Sequence, residues 1–454
     1  MRTHLQATAT TQSTVEPPSP PASMRRVACA ALVGTSIEFY DFFIYGTAAA
    51  LVFGPLFFPA LGAVAGTVAA FATFGVAFFF RPVGAILFGH MGDRLGRKRT
   101  LIYTLTIMGV STFAIGVLPT ASTIGAAAPI ALVALRALQG IAVGGEWAGA
   151  ALLTAEHAPQ GKRGFYGGFP QLGPGVAMAM SSATFLVADL TLTPQQFLAW
   201  GWRIPFLMSI LMLAVGMYIR LKVEETPAFR QSTGRGELVR FPFAEAVRHE
   251  WRNMLLVGGV LTMTFGFFYI AAVFVTGYAG STPGVGVLDL PRSTILSGTI
   301  LGAVVHSLAI LVSAKLSDRV GRRRVVLAGA MASVVIGPGV FYLMQPGSTV
   351  TFLLGMCLLL GVLAIPYGPA AAYLPEIFRT EYRYTGAGVG YNLAGILGGA
   401  LPLVVAPPLA AEFGGIGVGF YLGALGLVST LAVLAIRETK HVVLDAPAAA
   451  PVAG

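Results

Sequence analysis

Asp318-Arg319-Val320-Gly321-Arg322-Arg323 repeats, 225 residues on (318 − 93), the string Asp93-Arg94-Leu95-Gly96-Arg97-Lys98. The interval is almost half of the 454-residue chain, and each copy sits between two long apolar segments. A second pair of marks keeps nearly the same interval. Glu156 and Arg163 are seven residues apart, as are Glu376 and Arg383, and the two pairs are offset by 220 (376 − 156). One loop absorbs the difference. Two charge motifs at nearly one offset predict a duplicated chain whose halves carry the same charged hairpins.

Composition then decides the class. The chain is 56% hydrophobic and only 11% charged, with a mean hydropathy of +0.77, where soluble domains carry ~25% charge. Apolar runs of roughly 20 residues recur, the length that crosses a ~30 Å hydrocarbon core as a helix. A soluble protein is excluded, and an all-α membrane protein of twelve spans in two six-helix halves is predicted. The first six spans read 27–54, 64–91, 100–118, 126–152, 164–188 and 199–221. The second six read 253–279, 292–316, 325–344, 349–373, 385–410 and 416–437. The halves are thus 25–221 and 253–440, joined by a polar connector, 222–252, and flanked by tails at 1–24 and 441–454.

The net charge of +10 invites a nucleic-acid reading, which its distribution answers. Of 29 Lys and Arg, 25 fall on the side that holds the tails, the connector and both repeated strings. Arg203 and Arg292 fall on the other side, and Arg81 and Arg136 within spans. This bias places both termini and the connector in the cytoplasm. The first apolar segment is long and carries acids, so no signal peptide is expected. Cys29 and Cys357 lie in apolar segments, and neither a disulfide framework nor a metal site is suggested.

The charged hairpins need explaining beyond topology. Lys and Arg alone would hold an end in the cytoplasm, but that leaves the Asp and Gly at fixed spacing without a purpose. Gly96 and Gly321 suit a tight connection at positive φ. Asp93 and Asp318 can pair with the basic cluster or with a helix N-terminus. The reading is a conformational latch on the cytoplasmic side, comprising Gly89, Asp93, Arg94, Gly96, Arg97, Asp318, Arg319, Gly321 and Arg322, with Glu156 and Glu376 beside it.

Gly89-xxx-Asp93-Arg94-x-Gly96-Arg97-Lys98 resembles the loop signature of the major facilitator superfamily, and it recurs with Ala314 in place of the leading Gly. Four further stretches resemble the metabolite:proton symporter family within it. They are Gly34-Thr-Ser-Ile-Glu38-Phe-Tyr-Asp41-Phe-Phe-Ile-Tyr45-Gly46, Arg81-Pro82-Val-Gly84, Arg136-Ala-Leu-Gln139-Gly140 through Gly144-Gly145-Glu146-Trp147, and Val223-Glu224-Glu225-Thr226-Pro227. The likeness covers residues 25–440. It implies the twelve-helix facilitator fold and carriage of a solute such as α-ketoglutarate, citrate, shikimate, or proline or betaine, without choosing among them.

An ionisable side chain within a span costs at least ~2.5–3.5 kcal/mol and is functional by default. Five stand out: Glu38, Asp41, Arg81, Arg136 and Glu146. Glu38 and Asp41, three apart, share a helix face. These charges could simply pair and lock the bundle, as Arg81 with an acid of the first span. The functional reading assigns proton coupling to Asp41, Glu38 and Glu146, with Asp41 the first choice. Arg136 is the first choice for a substrate carboxylate, since its fork binds one bidentately. Arg81, Gln139, Tyr45, His306, Tyr269 and Asn392 complete the substrate-binding set. His306, the ionisable residue of the second half nearest the midplane, could equally be a satisfied hydrogen-bonding residue. Glycine and proline in span 5 (Gly168, Pro170, Gly173, Pro174, Gly175) read as packing and bends, and only weakly as an antiporter signature.

The function expected is proton-coupled uptake of a small carboxylate-bearing metabolite by alternating access. A proton-coupled exporter and a non-transporting membrane sensor remain as alternatives. No phosphate-binding loop or catalytic constellation is present in the sequence, so neither an ATP-driven pump nor an enzyme is expected. No cofactor, metal or nucleic acid is called for. The expected partners are a small-molecule substrate, protons and the lipid bilayer of the cell membrane; the sequence does not fix the oligomeric state, and a monomer would suffice.

Overall fold

The computed structural model describes residues 24–95, 97–144, 147, 151, 154, 158, 159, 161–222, 243–280, 287–379 and 382–442. Among the described residues every regular element is a helix. The long ones are α1 (Met24–Ala48), α2 (Gly62–Leu95), α3 (Arg97–Val117), α4 (Ala127–Val143), α5 (Arg163–Thr191) and α6 (Ile204–Lys222). They continue as α7 (Phe243–Tyr269), α8 (Arg292–Val320), α9 (Arg322–Leu343), α10 (Thr349–Glu376), α11 (Arg383–Ala394) and α12 (Leu401–Ala435).

Ten stretches among the described residues are long and apolar enough to cross a bilayer, the last being the 53-residue Arg383–Ala435. Gly414, at φ 68°, breaks that stretch, so it supplies two spans. The shorter α4 has 17 residues, and Trp147, Ala151 and Thr154 beyond it are also helical. On this count the twelve expected spans are present. Helix α7 differs from expectation, starting ten residues before the predicted 253. Its extra turns are amphipathic and not apolar. Glu245 sits in the first turn, where the helix dipole favours an acid, while Ala246 and Glu250 are buried.

Inside a bilayer lipid is as apolar as leucine, so helices associate by close packing and hydrogen bonding rather than by the hydrophobic effect. The contact of α2 with α4 shows this. A Cβ on Gly140 would overlap the Ala77 carbonyl, and one on Gly144 the Arg81 carbonyl. That approach brings Arg81 and Arg136 into one layer. Helix α5 packs against α1, α8 and α10, α2 against the turn Gly395–Ala400, and α7 against α11 and α12. Pro174 lacks an N–H for the carbonyl of Pro170, four residues earlier. The Thr35 hydroxyl of α1 lies 3.1 Å from that carbonyl and shares its proton with the Ala31 carbonyl of its own helix at 2.9 Å. Gly168, Gly173 and Gly175 of α5 also sit at close approaches, where a Cβ would press on Ala314, Thr35 and His306.

Among the described residues three π-helical turns interrupt the inner helices, at Ala49–Phe53, Ile270–Phe274 and Gly395–Ala400. The first two are offset by 221 residues (270 − 49), close to the 220 and 225 of the charge motifs. Such turns recur at functional sites because they redirect side chains within a helix.

Candidate functional site

Phe42, on α1, has two guanidiniums against its ring. Arg136 of α4 lies 4.0 Å from its ring centre and Arg81 of α2 lies 4.7 Å away. Arg136 also rests on Tyr45 at 4.2 Å and Phe74 at 4.6 Å, and Arg81 on Phe78 at 4.5 Å. Both arginines are buried, Arg136 completely. Each desolvated cation–π contact contributes up to ~2 kcal/mol, so the rings offset part of the cost of burying charge. They do not satisfy its donors: Nε and Nη2 of both arginines lack a hydrogen-bond partner among the described residues.

Asp41 precedes Phe42 and is 5% exposed, with Oδ1 unpartnered among the described residues. The Thr112 hydroxyl of α3 sits beside its carboxylate. Thr112 belongs to a hydrogen-bonded chain that reaches Arg136: its hydroxyl donates to the Met108 carbonyl at 2.9 Å and accepts from Gln139 Nε2 at 2.7 Å, and Arg136 Nη1 donates to Gln139 Oε1 at 3.0 Å. Glu38 is buried one turn before Asp41. The Tyr45 hydroxyl is engaged with Thr73 at 2.7 Å, which leaves its ring face for Arg136. Gln139 and Tyr45, expected from sequence to bind substrate, both contact Arg136.

Next to this cluster is a cavity of about 20 Å³ lined by Phe39, Pro174, Thr264, Phe265, Phe268, Tyr269, Leu363, Tyr367 and Tyr391. That is room for one water, far below the ~300 Å³ from which ligand pockets start. None of the nine lining residues is ionised at neutral pH. Tyr269 joins the two regions, its ring 5.0 Å from that of Phe78 and its hydroxyl near Arg81. Trp147 stacks on Tyr391 at 3.9 Å and donates to Gln171 Oε1 at 2.9 Å. Gln171 in turn donates to the Tyr367 carbonyl at 3.2 Å, and Asn392 Nδ2 donates to the Gly144 carbonyl at 3.3 Å. His306 is fully buried on α8. Its Nδ1 lies 3.2 Å from the Leu360 carbonyl; a carbonyl only accepts, so Nδ1 carries a proton, while Nε2 has no partner among the described residues.

The charged hairpin of the second half is a contact between α8 and α5. Asp318 accepts from the backbone N–H of Gly164 at 2.8 Å and of Phe165 at 2.9 Å. A carboxylate suits those free N–H groups and the positive helix end. Arg322 bridges Asp318 at 3.1 Å and Glu376 at 3.5 Å. Gly321, at φ 107°, makes the turn. Arg319 contributes its carbonyl, which accepts from Lys440 Nζ at 2.6 Å. Glu438 caps α9, accepting from the N–H of Arg322 at 2.9 Å and of Arg323 at 3.2 Å. At the other end of α5 and α8, Arg292 Nη1 meets Asp189 Oδ1 at 2.8 Å.

The side chains of Gly89, Asp93, Arg94 and Arg97 lie outside the described residues, as do Gly96, Glu146 and Glu156 altogether. Sequence reasoning missed Phe42, Thr112, Asp189 and Glu438. Phe42 had one signal, its place directly after Asp41; the others had none, because their partners are remote in the chain.

The profile described as sugar (and other) transporter matches residues 27–250 and 247–447. The chain is 38% identical over 438 residues to the inner membrane metabolite transport protein YhjE of Escherichia coli strain K12, across 96% of this chain and 99% of that one. It is 39% identical over 428 residues to the shikimate transporter of the same strain, across 92% and 95%. With that strain's proline/betaine transporter it shares 31% over 431 residues, across 92% and 84%. Among solved structures, the partially occluded inward-open conformation of the xylose transporter XylE from E. coli superposes with a TM-score of 0.71. The identity is 18%, over 93% of this chain and 99% of that one. At that identity the likeness speaks for the fold.

Proposed function

We propose, from the premise that this chain belongs to the sugar (and other) transporter family of the major facilitator superfamily, that it imports a small carboxylate-bearing metabolite together with protons. As a member it is a multi-pass cell-membrane transporter of small molecules and not an enzyme. Proton coupling, the direction of transport and the substrate are our reading.

One observation carries it: two buried arginines share the Phe42 ring beside a buried carboxylate, each with two N–H-bearing atoms unpartnered among the described residues. An unmet buried donor costs about 1–3 kcal/mol, more when charged. A substrate carboxylate would meet those donors, with Arg136 as the bidentate partner and Arg81 as the second cation. The named substrates of the relatives, shikimate and proline or betaine, all bear a carboxylate. Asp41, beside the chain of Thr112, Gln139 and Arg136, is the proton carrier, with Glu38 and Glu146 assisting. The aromatic cavity, walled by Tyr269 and near His306 and Asn392, takes the body of the substrate once the halves separate.

In this reading the halves are residues 25–221 and 253–440, both termini face the cytoplasm, and the Asp318 hairpin is a cytoplasmic latch that opens for release. A carrier of this kind must disfavour crossing while protonated and empty, or the gradient leaks. The test is uptake into proteoliposomes of radiolabelled organic acids, proline and betaine, with an inward proton gradient imposed and then collapsed. Accumulation that disappears with the gradient supports symport. Uptake indifferent to it makes the protein a facilitator, and gradient-driven expulsion makes it an exporter.

A further inference from the structure

We propose that Asp189 and Arg292 form the outer gate of this transporter, a clasp between α5 and α8 that opens to admit substrate. The proposal rests on the transporter reading above and on the orientation given there. Arg292, the first residue of α8, donates to Asp189, in the last turn of α5, at 2.8 Å. Its guanidinium also lies 4.1 Å from the ring centre of Phe197. Phe197 is held in a short helix whose first turn is closed by a reciprocal Thr193–Gln196 capping box.

Helix capping does not account for this pair. The C-terminal end of α5 is the negative end of its dipole and the N-terminal end of α8 is the positive end. Each charge therefore sits where its own helix repels it, and only the neighbouring helix compensates. Arg203, the other basic residue on this side, behaves in the ordinary way: its Nη1 donates to the carbonyls of Gly116 and Leu118, at the end of α3.

The same two helices are fastened at the other end, where Asp318 holds Gly164 and Phe165. Gly164 and Asp189 are 25 residues apart (189 − 164), so the clasps are roughly 38 Å apart along α5. That exceeds the ~30 Å hydrocarbon core, which puts one clasp at each face of the membrane. Rocking α8 against α5 about the midplane opens one clasp while the other stays shut.

The full-length protein, with Cys29→Ser and Cys357→Ser and a reporter Thr264→Cys in the cavity wall, is labelled in intact cells with a membrane-impermeant maleimide. Asp189→Asn and Arg292→Gln are each expected to speed labelling roughly two- to fivefold, the range for a partly exposed ion pair. The exchanged pair Asp189→Arg with Arg292→Asp is expected to bring the rate back toward the parent. Asp318→Asn, which loosens the opposite clasp, is expected to slow it. Unchanged labelling in both single variants, or no recovery in the exchange, overturns the gate. Labelling needs no substrate, so failure of the clasp is read separately from failure of proton-coupled uptake.

Discussion

The guanidinium of Arg136 lies 4.0 Å from the ring centre of Phe42, and Arg81 reaches the same ring from α2. Two like charges are thus held around one aromatic ring. The ring's quadrupole attracts both, and a cation–π contact removed from water is worth up to ~2 kcal/mol. Phe42→Leu keeps an apolar side chain and removes the quadrupole. We expect it to weaken substrate affinity by about tenfold, as loss of ~1–2 kcal/mol implies, while Phe42→Tyr keeps affinity within about twofold. Concentration dependence of uptake in proteoliposomes measures both. Equal behaviour of the two variants would show that Phe42 serves only as filler.

Arginine itself is the second case. Lysine keeps the charge but loses the planar fork and the stacking face. Arg136→Lys is therefore expected to cost uptake at least about tenfold, and Arg136→Gln more, since charged hydrogen bonds contribute ~1.5–3 kcal/mol each. Arg81→Lys is expected to be milder, because Arg81 rests on two rings and Arg136 on three. A direct binding assay with detergent-solubilised protein separates lost binding from lost transport. Near-normal affinity in Arg136→Lys rules out bidentate recognition.

How much of this was legible in the sequence follows from what each signal depends on. Spans were legible because bilayer thickness imposes a run of apolar residues that needs no knowledge of neighbours. Asp41, Arg81 and Arg136 were legible because a charge in such a run is costly. Gly321 was legible from its place between two charged residues in a repeated hairpin, and it is at positive φ. Phe42 was not, in a chain with 30 phenylalanines; its significance comes from two helices that converge on it. Thr112 and the Asp189–Arg292 pair were hidden for the same reason, being contacts between helices far apart in the chain. The early start of α7 was missed because hydropathy sees apolar runs and not the amphipathic turns that precede them.

Asp41 is the place to separate proton from substrate. Asn matches Asp in shape, and its amide takes the place of a permanently neutral acid. With the interior pH held constant, parent uptake is expected to rise as the outside is acidified, because more carriers load a proton before reorienting. Asp41→Asn is expected to lose that dependence and any accumulation against a gradient. It should keep exchange of internal for external substrate, which needs no net proton movement. If counterflow vanishes with accumulation, Asp41 is needed for binding as well. If accumulation survives, the proton is carried elsewhere, with Glu38 the next residue to replace.

At the Gly321 hairpin, geometry and electrostatics can be tested independently. Gly321 sits at φ 107° and ψ 151°, a region open almost only to glycine, and other residues pay about 1–3 kcal/mol there. A Cβ at this position would also run into the carboxylate of Glu438, which caps α9. Gly321→Ala is therefore expected to lower the unfolding temperature and to slow uptake together. Asp318→Asn leaves the turn alone and weakens the two contacts of its carboxylate, with the N-terminus of α5 and with Arg322, since an amide oxygen accepts less strongly than a carboxylate; it leaves Arg322 with Glu376 as its ionic partner. It is expected to leave the unfolding temperature nearly unchanged while altering the balance between outward-facing and inward-facing forms. Thermal unfolding in detergent, run beside uptake, distinguishes the two. Should Asp318→Asn destabilise the protein as much as Gly321→Ala does, the hairpin is a structural brace, and the latch must be sought in other contacts between α5 and α8.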